Sequence, residues 1–178
     1  MNTGCKMENF IEISPLDERI GNAARLIGKE KMLLTAGSLA EGYNTMTASW
    51  GMYGFLWKKP VCACFIRPQR YTRVFAAACD YLTLTFFGGK NEDALAYCGS
   101  HSGRDADKAK ECGLRPISVM DGRAVTFDGA RLVLILRKMY VSRFEREDFL
   151  DSSALSEYES GDFHHVYICE VVQALAGK

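Results

Sequence analysis

Between Asp80 and Gly88 the chain reads Tyr-Leu-Thr-Leu-Thr-Phe-Phe, and hydroxyl-bearing residues alternate with wholly apolar ones. A period of two is that of a pleated strand, so residues 81–87 are predicted to form a half-buried strand. Most other runs suit the same element. Strands are expected over 10–13, 32–39, 45–49, 61–66, 116–119, 124–127, 131–143 and 166–172, with 61–66 apolar or small throughout, as in a strand buried on both faces. Gly51 and Gly54 bracket an expected bend, and Lys58-Lys59-Pro60 an expected turn.

Helical signals are short by comparison. Ile20, Ala23, Ala24 and Ile27 are spaced for a helix over 17–29 that Gly28 stops. Thr72 is a candidate N-cap for a helix over 73–79, and Asn91 for one through Tyr97. Ser102 with Asp105 makes a capping pattern for a helix from about 103 to Gly113. Residues 149–159 read as a loop with a helical turn. Because βαβ units do not recur, the pattern predicts a mainly β fold, a barrel with peripheral helices rather than a doubly wound sheet.

Length and charge narrow the function classes. At 178 residues the chain is expected to form one domain, 1–178, able to bury a core without disulfides or metal. Lys plus Arg number 22 and so do Asp plus Glu, which leaves no global field to draw nucleic acid or an anionic membrane. MNTGCKMENF lacks the apolar run of a secretion signal, and no segment is long enough to span a bilayer, so a cytoplasmic protein is expected. The seven cysteines are read as reduced, and Cys62 and Cys64 as packing thiols rather than metal ligands.

The stretch from Asn44 to Thr72 carries the chemistry. Thr47, Ala48 and Ser49 are too small to keep a planar ring off the backbone, while Arg67, Arg70 and Thr72 are residue types that hold a phosphate. A flat heterocycle at one end and a phosphate at the other describe a mononucleotide. Arg70 and Arg73 flank one predicted helix entrance, and Arg104 and Lys108 fall in the first turns of another, where cations oppose the helix dipole. An anion shared between the entrances would resolve that conflict. Of the histidines, His101 lies in the second loop, and His164 and His165 precede a strand, where neighbours point to opposite faces and grip one metal ion poorly. Cys98 and His101 lack a third orienting group, which argues against a Cys-His nucleophile. Trp50 and Tyr71 serve equally as packing or stacking aromatics. Neither a Rossmann fingerprint nor a P-loop is present.

Four ordered blocks extend this reading. Asn44-Thr45-Met46-Thr47-Ala48-Ser49-Trp50-Gly51, Arg67-Pro68-Gln69-Arg70-Tyr71-Thr72, Tyr97-Cys98-Gly99-Ser100-His101-Ser102-Gly103-Arg104-Asp105 with Asp107-Lys108, and Gly161-Asp162-Phe163-His164 resemble the flavin reductase-like family of FMN-binding split barrels, in particular its flavoredoxin-like members. The resemblance implies a six-stranded Greek-key barrel that forms a homodimer with FMN near the subunit interface. It implies Met46–Trp50 at the ring, and Arg67, Arg70, Thr72, Arg104 and Lys108 at the phosphate. Asn44, Gln69, Tyr71, Ser100, His101, Ser102 and Gly103 complete the implied cofactor site, and His164 and His101 are candidates for steering a reductant. The implied function is an NAD(P)H-dependent flavin oxidoreductase serving a flavin or redox-protein acceptor, with an electron carrier as the alternative. Two departures stand out: Cys169 where many relatives have glycine, and Val74 in place of an acid.

Overall fold

The computed structural model describes residues 8–178, so the reading of residues 1–7 as free of an apolar leader lies outside it. Among the described residues ten strands are formed: β1 (Phe10–Ile13), β2 (Met32–Ser38), β3 (Gly42–Ala48), β4 (Gly51–Leu56), β5 (Lys59–Ile66), β6 (Tyr81–Phe86), β7 (Pro116–Val119), β8 (Ala124–Phe127), β9 (Leu132–Arg143) and β10 (His165–Gly177). The helices are α1 (Ala23–Arg25), α2 (Thr72–Ala78), α3 (Glu92–Ser100), α4 (Lys108–Glu111) and α5 (Ser152–Leu155). The order β3-β2-β6-β9-β10-β5-β4 defines one antiparallel sheet, to which β1 adds at β10, and β7–β8 form a separate hairpin. The split barrel thus contains eight strands in its sheet where six were expected.

The length of β10 explains the addition of β1 and the bend of the sheet. One edge of its 13 residues pairs with β9. The other takes β5 at His165–Glu170 and then β1 at Ala174–Gly177. Register shifts at Ile168/Cys169 and Val171/Gln173 bend the pair.

The central alternation is correct in period and wrong in exposure, since all six residues of β6 are buried. Leu82, Leu84 and Phe86 face the barrel core with Leu34, Leu134 and Cys64. Thr83 and Thr85 lie under the β7–β8 hairpin, where Thr83 donates to the Val125 carbonyl and Thr85 Oγ1 sits 2.8 Å from Thr126 Oγ1. A hydroxyl with a buried partner is tolerated without solvent. Each fully buried leucine or phenylalanine of these layers stabilises the fold by roughly 1.5–3 kcal/mol.

Other boundaries shift for local reasons. The expected helix over 17–29 is broken at Gly21, whose φ is 76°; Asn22 then caps α1, which runs into a π-helical turn at Leu26–Glu30 without stopping at Gly28. Gly51 and Gly54 lie within β4 rather than at a bend. The turn is Trp57-Lys58, both at positive φ as a two-residue hairpin demands. The helix expected from 103 begins only at Lys108, where the Asp107 carboxylate accepts from Lys110 N. Cys62, Cys64 and Cys169 pack in the barrel core. A hydrogen bond with Cys169 and burial together raise the Cys64 thiol well above its ordinary pKa.

Candidate functional site

The end of β3, the β5–α2 connection, the α3–α4 loop and the segment leading into β10 converge on one cleft with two lobes. Met46, Thr47, Ala48, Ser49, Trp50, Phe65, Arg67, Arg70, Gly99 and His164 line the first, of about 200 Å³. The second, of about 160 Å³, is lined by Asn44, Met46, Gln69, Arg70, Tyr71, Thr72, Ser100, His101, Ser102, Gly103 and Lys108. Met46 and Arg70 border both, which joins them. One lobe offers aromatic and small walls, the other donors.

The polar lobe is built on Asn44. Its Nδ2 donates to Thr72 Oγ1 at 2.8 Å, so Thr72 braces β3 and does not cap α2, whose N-cap position is Tyr71. Gly103 packs against Asn44 so closely that a Cβ there would lie 1.9 Å from Oδ1. Only glycine brings the α3–α4 loop this near.

The cations follow a different logic from the one the sequence suggests. Arg70 Nη1 donates to the Gly99 carbonyl at 2.8 Å, and Lys108 Nζ to that of Cys98 at 3.3 Å. Both therefore sit at the C-terminal end of α3, where the dipole favours positive charge. That end carries only about half an elementary charge. Among the described residues, neither cation forms an ion pair with a carboxylate. Lys108 is only 4% exposed; burial, then the Arg70 charge, lowers its pKa. Burial also lowers that of Arg70.

Arg104 stands behind the wall of the second lobe, where its Nη1 donates to the Gln69 carbonyl at 3.4 Å. It lies in a turn, exposed, with its guanidinium 4.6 Å from the Tyr71 ring centroid, and it lines neither lobe. Arg67 lines the first lobe only and is held by the Asp162 carboxylate at 2.5 Å and the Glu157 carbonyl at 3.1 Å. Gln69 also donates to Asp162, at 2.6 Å. The hydrogen bond from Arg67, then that from Gln69, holds the Asp162 carboxyl at about 2.

The histidines divide. His101 is exposed and stacks on Tyr97, with centroids 3.9 Å apart. Cys98 is fully buried, and burial pushes its thiol up to about 12, away from the reactive thiolate form. His164 borders the first lobe with its Nδ1 2.8 Å from the Tyr158 hydroxyl, and Trp50 and Phe65 flank its ring at 5.2 and 6.3 Å. Burial, then the Arg67 charge, lowers its pKa to about 4, so the imidazole is neutral at pH 7. His165, the next residue, is set apart: its pKa is lowered by burial and by the Arg73 and Arg143 charges.

Sequence reasoning assigned no role to Phe65, Gly99, Tyr158 or Asp162. Asp162 and Gly99 stood within two of the quoted blocks, and Phe65 within an apolar strand. Tyr158 had no local signal. Among the described residues, no group of three His, Cys, Asp or Glu gathers as metal ligands.

Comparison with known proteins bears on the fold. No family model and no curated relative matches the sequence. Solved structures do match. An FMN-binding domain of a flavin reductases-like enzyme from Shewanella baltica superposes with a TM-score of 0.67 at 17% identity, over 95% of this chain and 78% of its own. The flavoredoxin of Methanosarcina acetivorans gives 0.65 at 17%, over 84% and 69%. A Streptomyces globisporus NADH:FAD oxidoreductase, solved with NAD and FAD fragments, gives 0.61 at 14%, over 83% and 74%. The chain has the fold of FMN-binding, flavin reductase-like split barrels.

Proposed function

We propose that this chain is an FMN-binding flavoprotein of one domain, and within that class an NAD(P)H-dependent flavin oxidoreductase that passes hydride to FMN and electrons on to an acceptor. The observation that carries the reading is Lys108: a buried lysine beside Arg70, facing a donor-rich lobe, whose ammonium donates to the Cys98 carbonyl and, among the described residues, pairs with no carboxylate. A bound phosphate supplies the missing charge. Arg70, Lys108, Ser102 and Thr72 would hold the phosphate, and Thr47, Ala48, Ser49 and Trp50 the ring. When bound, the flavin supplies hydride and electron transfer; the chain's part is to orient it and to set the polarity of its surroundings.

The test is the colour of the freshly purified protein and the identity of what denaturation releases, followed by NADH and NADPH oxidation with a flavin acceptor. A colourless protein that does not take up FMN sinks the flavin assignment. A yellow protein inert to both nicotinamides sinks the reductase. That second outcome favours a flavoredoxin-like electron carrier, a reading supported by Trp50, which is 42% exposed beside the first lobe and offers electrons a short way out.

A homodimer is part of the proposal. Met52, Ala63, Ile168 and Tyr140 are consecutive cross-strand neighbours over β4, β5, β10 and β9. Cys62, Cys64, Tyr167 and Cys169 alternate with them into the core, so this apolar row lies on the outer face. Met52 is 63% and Tyr140 50% exposed. A second copy covers such a row. The six described cysteines are all unpaired, which supports a reducing, cytoplasmic location. No helix among the described residues is long and apolar enough to cross a membrane.

A further inference from the structure

We propose that Tyr158 is a positioning residue: its hydroxyl donates to Nδ1 of His164 and holds that imidazole as the Nε2–H tautomer, a neutral donor for an acceptor atom of the ligand in the first lobe. Tyr158 ends a 3-10 turn, Ser156–Tyr158, in the connection between β9 and β10, and it is 4% exposed. Its hydroxyl lies 2.8 Å from Nδ1 and makes no other hydrogen bond among the described residues.

Two arrangements satisfy that distance. If Nδ1–H donated, the tyrosine proton would be left in a buried aromatic setting without an acceptor, and a buried unpaired donor costs about 1–3 kcal/mol. If the tyrosine donates, both its proton and Nδ1 are satisfied. The remaining Nε2–H then belongs to a ring that borders the cleft, where a ligand or water accepts from it. The second arrangement leaves nothing buried and unpaired.

The surroundings keep the ring neutral. Tyr158 is fixed by a stacked contact with Phe163 at 5.0 Å and a tilted one with Phe149 at 5.4 Å. Trp50 from the β3–β4 junction and Phe65 from β5 close on the imidazole. The charged groups that act on it are Arg67, beyond β5, and Asp162, before β10, and they are paired with each other. A neutral Nε2–H selects a ligand edge carrying a carbonyl oxygen or a pyridine-type nitrogen, and disfavours one presenting its own donor. This choice of ligand edge rests on the cleft being the flavin-ring site. The tautomer does not.

Nitrogen-15 NMR of the protein with labelled histidine tests it directly, with His164→Gln identifying the His164 signals among the three histidines. Expected are a pyridine-type Nδ1 and a pyrrole-type Nε2, unchanged from pH 8 down to about pH 5. In Tyr158→Phe, which keeps the ring contacts, both tautomers should appear and the midpoint should rise by about 0.5–1 pH unit, the worth of one hydrogen bond. A pyrrole-type Nδ1, a ring protonated at pH 7, or a Tyr158→Phe spectrum identical to wild type overturns the proposal. Should Tyr158→Phe not fold, the wild-type spectrum alone decides. The spectrum is read whether or not the protein is yellow, so a colourless preparation sinks the flavin reading and leaves this one standing.

Discussion

Replacing Lys108 with methionine separates a phosphate-binding cation from a merely structural one. Methionine fills nearly the same volume and removes the charge. Lys108 is 4% exposed, and its ammonium has one carbonyl at 3.3 Å and, among the described residues, no acid. A hydrogen bond to a charged group contributes about 1.5–3 kcal/mol, which is roughly 10–150-fold in Kd. FMN and riboflavin differ only by the phosphate, so titrating the cofactor-free protein with each, by quenching of flavin fluorescence, isolates that interaction. Lys108→Met should lose roughly 10–150-fold for FMN and less than about 2-fold for riboflavin. Because burial lowers the lysine's pKa, wild-type FMN affinity should also begin to fall at lower alkaline pH than a free lysine dictates. Folding should not suffer, since a poorly paired buried charge is removed, and thermal unfolding followed by circular dichroism checks this. Equal losses for both flavins would make Lys108 a support for the loop. No loss for either would place the phosphate elsewhere and refute the reasoning.

Four further outcomes follow from the same geometry. Arg104→Ala should weaken FMN by less than about 5-fold in the same titration, because the residue covers Tyr71 from outside the cleft and an exposed cation–π contact contributes only about 0.5–1 kcal/mol. Arg70→Ala should exceed it by an order of magnitude. Gly103→Ala forces Asn44 aside and should lower Tm by roughly 2–10 °C, with Asn44→Ala partly restoring it; an unchanged Tm means the close approach is not needed. For His164 the folded pKa, about 4, lies below the ordinary 6.5, so the unfolded chain binds the extra proton between them. The stability this group contributes is therefore complete above about pH 6.5 and is lost as pH falls through about 4. Denaturant titrations should show roughly 2–3 kcal/mol less of that loss in His164→Gln. If the proposed homodimer forms through the outer apolar row, the wild type should sediment as a dimer and Met52→Glu as a monomer.

What the sequence revealed and withheld divides along physical lines. The period of two over residues 81–87 survives in β6 because register forces it, but exposure depends on what packs over the second face. That is the β7–β8 hairpin, whose Val125 carbonyl and Thr126 hydroxyl, 42 and 41 residues along the chain, take up the Thr83 and Thr85 hydroxyls. No local pattern announces such a partner. The site divides similarly. Thr47–Trp50, Arg70 and Lys108 were legible because residue types suited to a ring and a phosphate recur at the ends of predicted elements, and the structure brings them to one cleft. Arg70 does precede α2 and Lys108 does open α4, but their side chains turn to the carbonyls ending α3, a contact that the position of a residue in the sequence does not announce. Arg67 and Arg104 look alike in the sequence, yet Asp162 holds one and Tyr71 the other, contacts set by chain separated by 95 and 33 residues. Tyr158 had no signal at all, because its role depends on one oxygen reaching one nitrogen across a buried aromatic cluster. Side-chain chemistry is readable from residue type, whereas the protonation state of an imidazole is set by neighbours that only the fold assembles.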